Sequence, residues 1–96
     1  MRLTLITISS QAGTMFDGGA ARLVDTLWAA VRAEDGVEHI SVRAVRGRVD
    51  IGVFSVSMDQ VMARTVARDV VERALVMSPQ LRQWSVAGTV PGLAGT

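Results

Sequence analysis

The chain has no cysteine, no lysine, no tyrosine and no asparagine among its 96 residues. Without cysteine there is no disulfide, no thiolate nucleophile and no Cys-ligated zinc. Without lysine there is no Schiff-base chemistry and no phosphate-loop lysine. One histidine cannot supply a conventional His/Cys metal site within one subunit. Aromatic residues are only 4% of the chain, which leaves little material for base stacking. No apolar stretch approaches the ~20 residues that a membrane-spanning helix needs. The N-terminus begins with Arg2 and then alternates, as a strand does and a signal peptide does not. These absences lead to an expectation of a cytoplasmic protein with no cofactor and no membrane partner.

What is present is apolar and balanced in charge. Ten arginines face nine acids, for a net charge of +1, so the pI near 9.0 does not signal a polybasic surface. Hydrophobic residues make up 49% of the chain and the mean hydropathy is +0.33. A single small domain has a limited interior in which to bury that much apolar surface. Part of it is therefore expected at an interface.

Hydrophobic periodicity divides the chain into six elements. Residues 2–8 alternate as a strand, with Leu3 and Leu5 on one face and Ile6 and Ile8 on the other. Ala20, Leu23, Val24, Leu27, Trp28 and Val31 recur at helical spacing, predicting a helix over about 19–34 closed by Gly36. Residues 37–45 and 49–56 alternate around Arg46-Gly47-Arg48 and read as a hairpin. Ser57 to Gln60 has the spacing of a capping box. A second helix over about 58–77 follows, with a stripe of Met62, Ala63, Val66, Ala67, Val70, Ala74 and Met77. Asp69 and Arg73 are spaced as an i,i+4 pair on it. A last strand over about 82–87 carries Trp84 and Val86. The expected organisation is one domain over 1–88 with a flexible tail over 89–96.

The order β-α-β-β-α-β is that of a ferredoxin-like α+β sandwich, a four-stranded antiparallel sheet in the order 4-1-3-2 with both helices on one face. The uncovered face of such a sheet should be polar. If Leu3, Leu5, Ile40, Val42, Ile51 and Val53 face the helices, the open face carries Ile6, Ile8, Phe54 and Val56. Those four large apolar residues are the expected interface, to a second copy or to a larger protein. The same topology gathers the 9–18 loop, the Arg46-Gly47-Arg48 turn and the start of the first helix at one end. Arg46 and Arg48 above Gly18 and Gly19 form a candidate anion site there. His39 is expected on the open side of an edge strand, near Arg43, with Asp50 on the neighbouring strand.

In size and topology the chain resembles acylphosphatases, but it has no asparagine and no matching Gly-rich arginine loop, so that activity is not implied. It is similar in topology to metal-carrier domains and lacks their cysteine pair. RNA-recognition modules share the order and stack bases on strand aromatics; here only Phe54 is available, which disfavours nucleic acid. It also resembles ligand-sensing regulatory domains and dimeric α+β barrel proteins, which pair sheet faces. Together these readings predict a small non-catalytic accessory or regulatory protein acting by association, as a homodimer or on a larger partner, through the open sheet face or by strand addition at an edge, the second or the last strand. The alternatives are a small-molecule-binding or cofactor-free enzyme of the dimeric barrel type, with His39 and Trp84 beside a cavity, and an anion or ligand sensor.

Overall fold

A computed structural model describes residues 2–10, 19–56 and 59–91. The elements are β1 (Arg2–Ser10), α1 (Gly19–Ala30), β2 (Val37–Val45), β3 (Arg48–Ser55), α2 (Gln60–Met77) and β4 (Trp84–Pro91). The sheet order is β2-β3-β1-β4, which read from the other edge is 4-1-3-2. All three neighbouring pairs are antiparallel. α1 packs on β2, and α2 packs on β1 and β4, so the helices share one face of the sheet. The protein is an α+β sandwich of the ferredoxin-like type, as its element order predicts.

The core lies between that face and the helices. The register stacks Val42, Ile51 and Ile6 in one row and Ala44, Val49, Ile8 and Val86 in the next. Above these rows sit Leu23, Leu27 and Ala30 of α1, and Ala63, Ala67, Val70, Val71 and Ala74 of α2. Three alanines on the buried line of α2 let that helix lie close to the sheet. The face it buries is rotated toward Val71 and Leu75, which leaves Met62 and Met77 about 60% exposed instead of in the expected stripe.

The phase of β1 is the reverse of the expected one. Ile6 and Ile8 are 0% and 1% exposed in the core, and Leu3 and Leu5 lie on the open face. The cause is the register with β3: Ile6 stands opposite Ile51 and Ile8 opposite Val49, and opposed residues share a face. The assignment on β3 stands, with Val49, Ile51 and Val53 covered.

Several boundaries also move. α1 ends at Ala30, and a separate 3-10 turn, Ala33–Asp35, precedes β2. Gly36, at φ 67°, closes that turn and not the α-helix. Asp59 caps α2, accepting from the Val61 N–H at 2.8 Å, where the sequence suggested Ser57; Ser57 and Met58 lie outside the described residues. A 3-10 turn, Pro79–Leu81, inserts the buried Leu81 before β4. β4 runs on to Pro91, so Thr89 to Pro91, expected in the tail, pair with β1; residues 92–96 lie outside the described residues.

Arg73 ties the helix layer together. Its Nη1 donates to the Ala30 carbonyl at 2.9 Å, its Nη2 to Asp35 Oδ2 at 2.9 Å, and its Nε to the Asp69 carbonyl at 3.2 Å. The expected Asp69–Arg73 side-chain pair is thus replaced by a bond to the Asp69 backbone and an ion pair to Asp35. Asp35 also accepts from the Arg32 N–H at 2.7 Å. A guanidinium at the C-terminus of α1 satisfies an orphan carbonyl and opposes the negative end of the helix dipole.

Candidate functional site

The register lays out the open face row by row. His39, Phe54 and Leu3 form the first row; Ser41, Gly52, Leu5 and Val90 the second. Arg43, Asp50, Thr7 and Gly88 form the third; Val45, Arg48, Ser9 and Ser85 the fourth. The face is therefore divided along the strands. One half carries the apolar side chains of β3, β1 and β4, with His39 and Ser41 of β2 beside them, and the other half is mainly polar.

The apolar half is built on a glycine. A Cβ at Gly52 would meet Ser41 Oγ and lie 3.3 Å from Leu3 Cδ1 and 3.7 Å from Leu5 Cδ2. The neighbouring side chains thus close over the bare backbone, and the two leucines make a continuous surface with Phe54. Leu5 is 38% exposed and Val90 54%, on an antiparallel sheet face where polar residues are the rule. The His39 ring leans on Phe54, with centroids 5.4 Å apart and planes tilted by 52°. Val56 continues this side just beyond β3; it is 56% exposed and lies over Gly36, whose carbonyl accepts its N–H at 2.9 Å.

In the polar half, Asp50 accepts from Thr7 Oγ1 at 3.0 Å and faces Arg48 Nε at 3.5 Å. Arg43 is its register neighbour on the other side. These groups are partly solvated, so the pair holds geometry and contributes about 0–1 kcal/mol. It places a carboxylate between two guanidinium-bearing positions.

The residues expected at a site are dispersed as follows. Phe54 is on the open face as expected, and Val56 borders it. Ile6 and Ile8 are core residues on the opposite side of β1 and are unavailable to a partner. Leu3, Leu5 and Val90 take their place. Leu3 and Leu5 were legible as a pair in the alternation of β1, and Val90 was missed because β4 extends beyond its expected end.

The anion site is divided by the sheet. Arg48 is on the open face, turned to Asp50, whereas α1 lies on the covered face. Arg46 is exposed in the turn, which is drawn onto the end of β1 by a 3.1 Å bond from Ser10 N–H to the Gly47 carbonyl. Gly19 opens α1, and Gly18 lies outside the described residues.

His39 is on the open side of β2, as expected, but two rows from Asp50, a separation of about 13 Å along the strands at ~3.3 Å per residue. Asp50 therefore cannot orient its imidazole. Trp84 is buried on the covered face, so the sheet also separates His39 from Trp84. The pair that a barrel-type enzyme would have used is not brought together. Among the described residues no three His, Asp or Glu side chains gather as a metal site. No helix among them is long and apolar enough to cross a membrane.

No protein-family model, no curated protein and no solved structure matches the chain.

Proposed function

We propose that this chain is a small non-catalytic accessory or regulatory protein that works by association, with the apolar half of its open sheet face as the surface that docks a larger protein partner. The observation that carries the reading is the run of Phe54, Leu3, Leu5 and Val90 across three adjacent strands, where a free antiparallel sheet face would be polar. The polar half supports it. Asp50 and Arg48 lie beside the apolar patch, and a charged border of this kind sets orientation more than affinity. The partner surface that fits is an apolar ridge with its own charged margin.

The test is a comparison of partners retained by the wild-type chain and by Phe54→Asp, followed by reconstitution with the purified candidate. The substitution lies on the open face, so the variant keeps its far-UV helical signal and thermal transition. Binding of the reconstituted partner should fall at least tenfold. Equal binding by a folded Phe54→Asp variant would remove the open face from the interaction.

A further inference from the structure

We infer that two copies of this chain join through the outer edge of β2, antiparallel about a two-fold axis at Val42, making one eight-stranded sheet. The inference rests on the reading of the chain as an association module. It concerns a different surface from the open face, and it names the partner as a second copy.

The two sheet edges are unlike. β4 is blunted: its register with β1 shifts between Thr7 and Ile8, leaving Ala87 as an extra residue, and Gly88 and Pro91 follow. Bulges and proline are the usual guards against edge pairing. β2 has its irregularity at its start, between Val37 and His39, and then runs in regular register from His39 to Val45 without glycine or proline. Among the described residues no strand pairs with the outer edge of these seven.

The helix above that edge is apolar on the same side. α1 advances about 100° per residue, so Ala20, Val24 and Trp28 share one flank, while Arg22, Thr26 and Ala29 share the other. Arg73 of α2 reaches the Ala30 carbonyl, which sets α2 beside α1. Right-handed crossovers then direct the Trp28 flank away from α2 and out over the β2 edge. Val42 and Ala44 of β2 are only partly covered, and Trp28 is 38% exposed. A second copy added to β2 would bring its own α1 against this flank, with Trp28 as an aromatic anchor near the two-fold axis.

Charge selects the direction of pairing. Apart from Asp35 and Arg48, which pair within the chain, the segment is acidic before and at the start of β2, at Glu34 and Glu38, and basic at its end, at Arg43 and Arg46. An antiparallel partner sets the acidic end of each copy against the basic end of the other. A parallel one would oppose like charges. Register follows from the pleat. Even-numbered residues 40–44 face the helices and odd ones the open side, so even must meet even. Centring on Val42 uses the whole regular stretch: Ile40 meets Ala44, Ser41 meets Arg43, His39 meets Val45, and Glu38 falls opposite Arg46. Because the axis is perpendicular to the sheet, both open faces stay on one side. The dimer then presents two docking surfaces in one plane.

A cysteine-free chain makes the test direct. Residues opposed in an antiparallel ladder have Cα atoms about 4.5–5.5 Å apart, within the range a disulfide spans. Val42→Cys should therefore oxidise to a covalent dimer of twice 10.2 kDa, while the exposed Ala87→Cys on the β4 edge stays monomeric under the same oxidant. Without oxidant, light scattering should show a dimer. Arg46→Glu or Trp28→Glu should raise its dissociation constant at least tenfold, and Glu38→Arg with Arg46→Glu should recover it. Phe54→Asp should leave this dimer intact. A wild-type monomer at several hundred micromolar, or Val42→Cys linking no faster than Ala87→Cys, would overturn the inference. A dimer abolished by Phe54→Asp and not linked through Val42→Cys would overturn it too, while supporting association through the open face.

Discussion

Replacing Arg73 by alanine removes a side chain that serves three elements at once. Its guanidinium satisfies the last carbonyl of α1, holds the Asp35 carboxylate of the 3-10 turn and bonds back to α2 at Asp69. The Arg73 and Asp35 side chains are 22% and 10% exposed, so the ion pair is largely shielded from water. In Arg73→Ala, Asp35 keeps the Arg32 N–H as a partner, and the Ala30 carbonyl loses the guanidinium. A hydrogen bond to a charged group contributes about 1.5–3 kcal/mol, and a cation at a helix C-terminus about 0.3–1 kcal/mol. Partial solvent access and relaxation offset some of this, giving an expected loss of about 2–3 kcal/mol. For a domain of this size each kcal/mol moves the midpoint by roughly 4–8 °C, so a fall of roughly 10–20 °C is expected. Urea unfolding of wild type, Arg73→Ala, Asp35→Ala and the double variant closes a cycle, with an expected coupling of about 1–2 kcal/mol. Arg73→Lys, which cannot span all three acceptors, should fall between wild type and alanine. A coupling below about 0.3 kcal/mol, with Arg73→Ala as stable as wild type, would refute the assignment of Arg73 as the tie between the helices.

The phase of β1 is tested by a pair of neighbours. Ile6→Asp places an unpaired carboxylate in the core and should abolish the cooperative transition, whereas Leu5→Asp should leave a folded protein within about 1 kcal/mol of wild type; the opposite ranking by circular dichroism would invert the sheet. Gly36→Ala should cost about 1–3 kcal/mol, because the position has φ 67° and a new Cβ would press on Val56 Cγ2. Adding Val56→Ala should recover the steric part and leave the backbone part, and denaturant midpoints separate the two.

The sequence by itself determined the order and type of the six elements, and with them the topology. It also determined the phase of β3, where Val49, Ile51 and Val53 alternate with Asp50 and Gly52 and only one face can be covered. On β1 the same reasoning has nothing to choose between. Leu3, Leu5, Thr7 and Ser9 on one side match Thr4, Ile6, Ile8 and Ser10 on the other, two aliphatics and two hydroxyls each. Only the pairing of β1 with β3 decided it, because a strand's covered face is chosen by its neighbours when its own two faces are equally apolar. The partners of Arg73 were hidden for a related reason: Ala30 and Asp35 lie 43 and 38 residues away, and no local spacing signals a bond between two helix ends. The helical period could show that Trp28 shares a flank with Ala20 and Val24. Which way that flank turns, over the free edge of β2, depends on where α2 packs, and that is a property of the assembled layers.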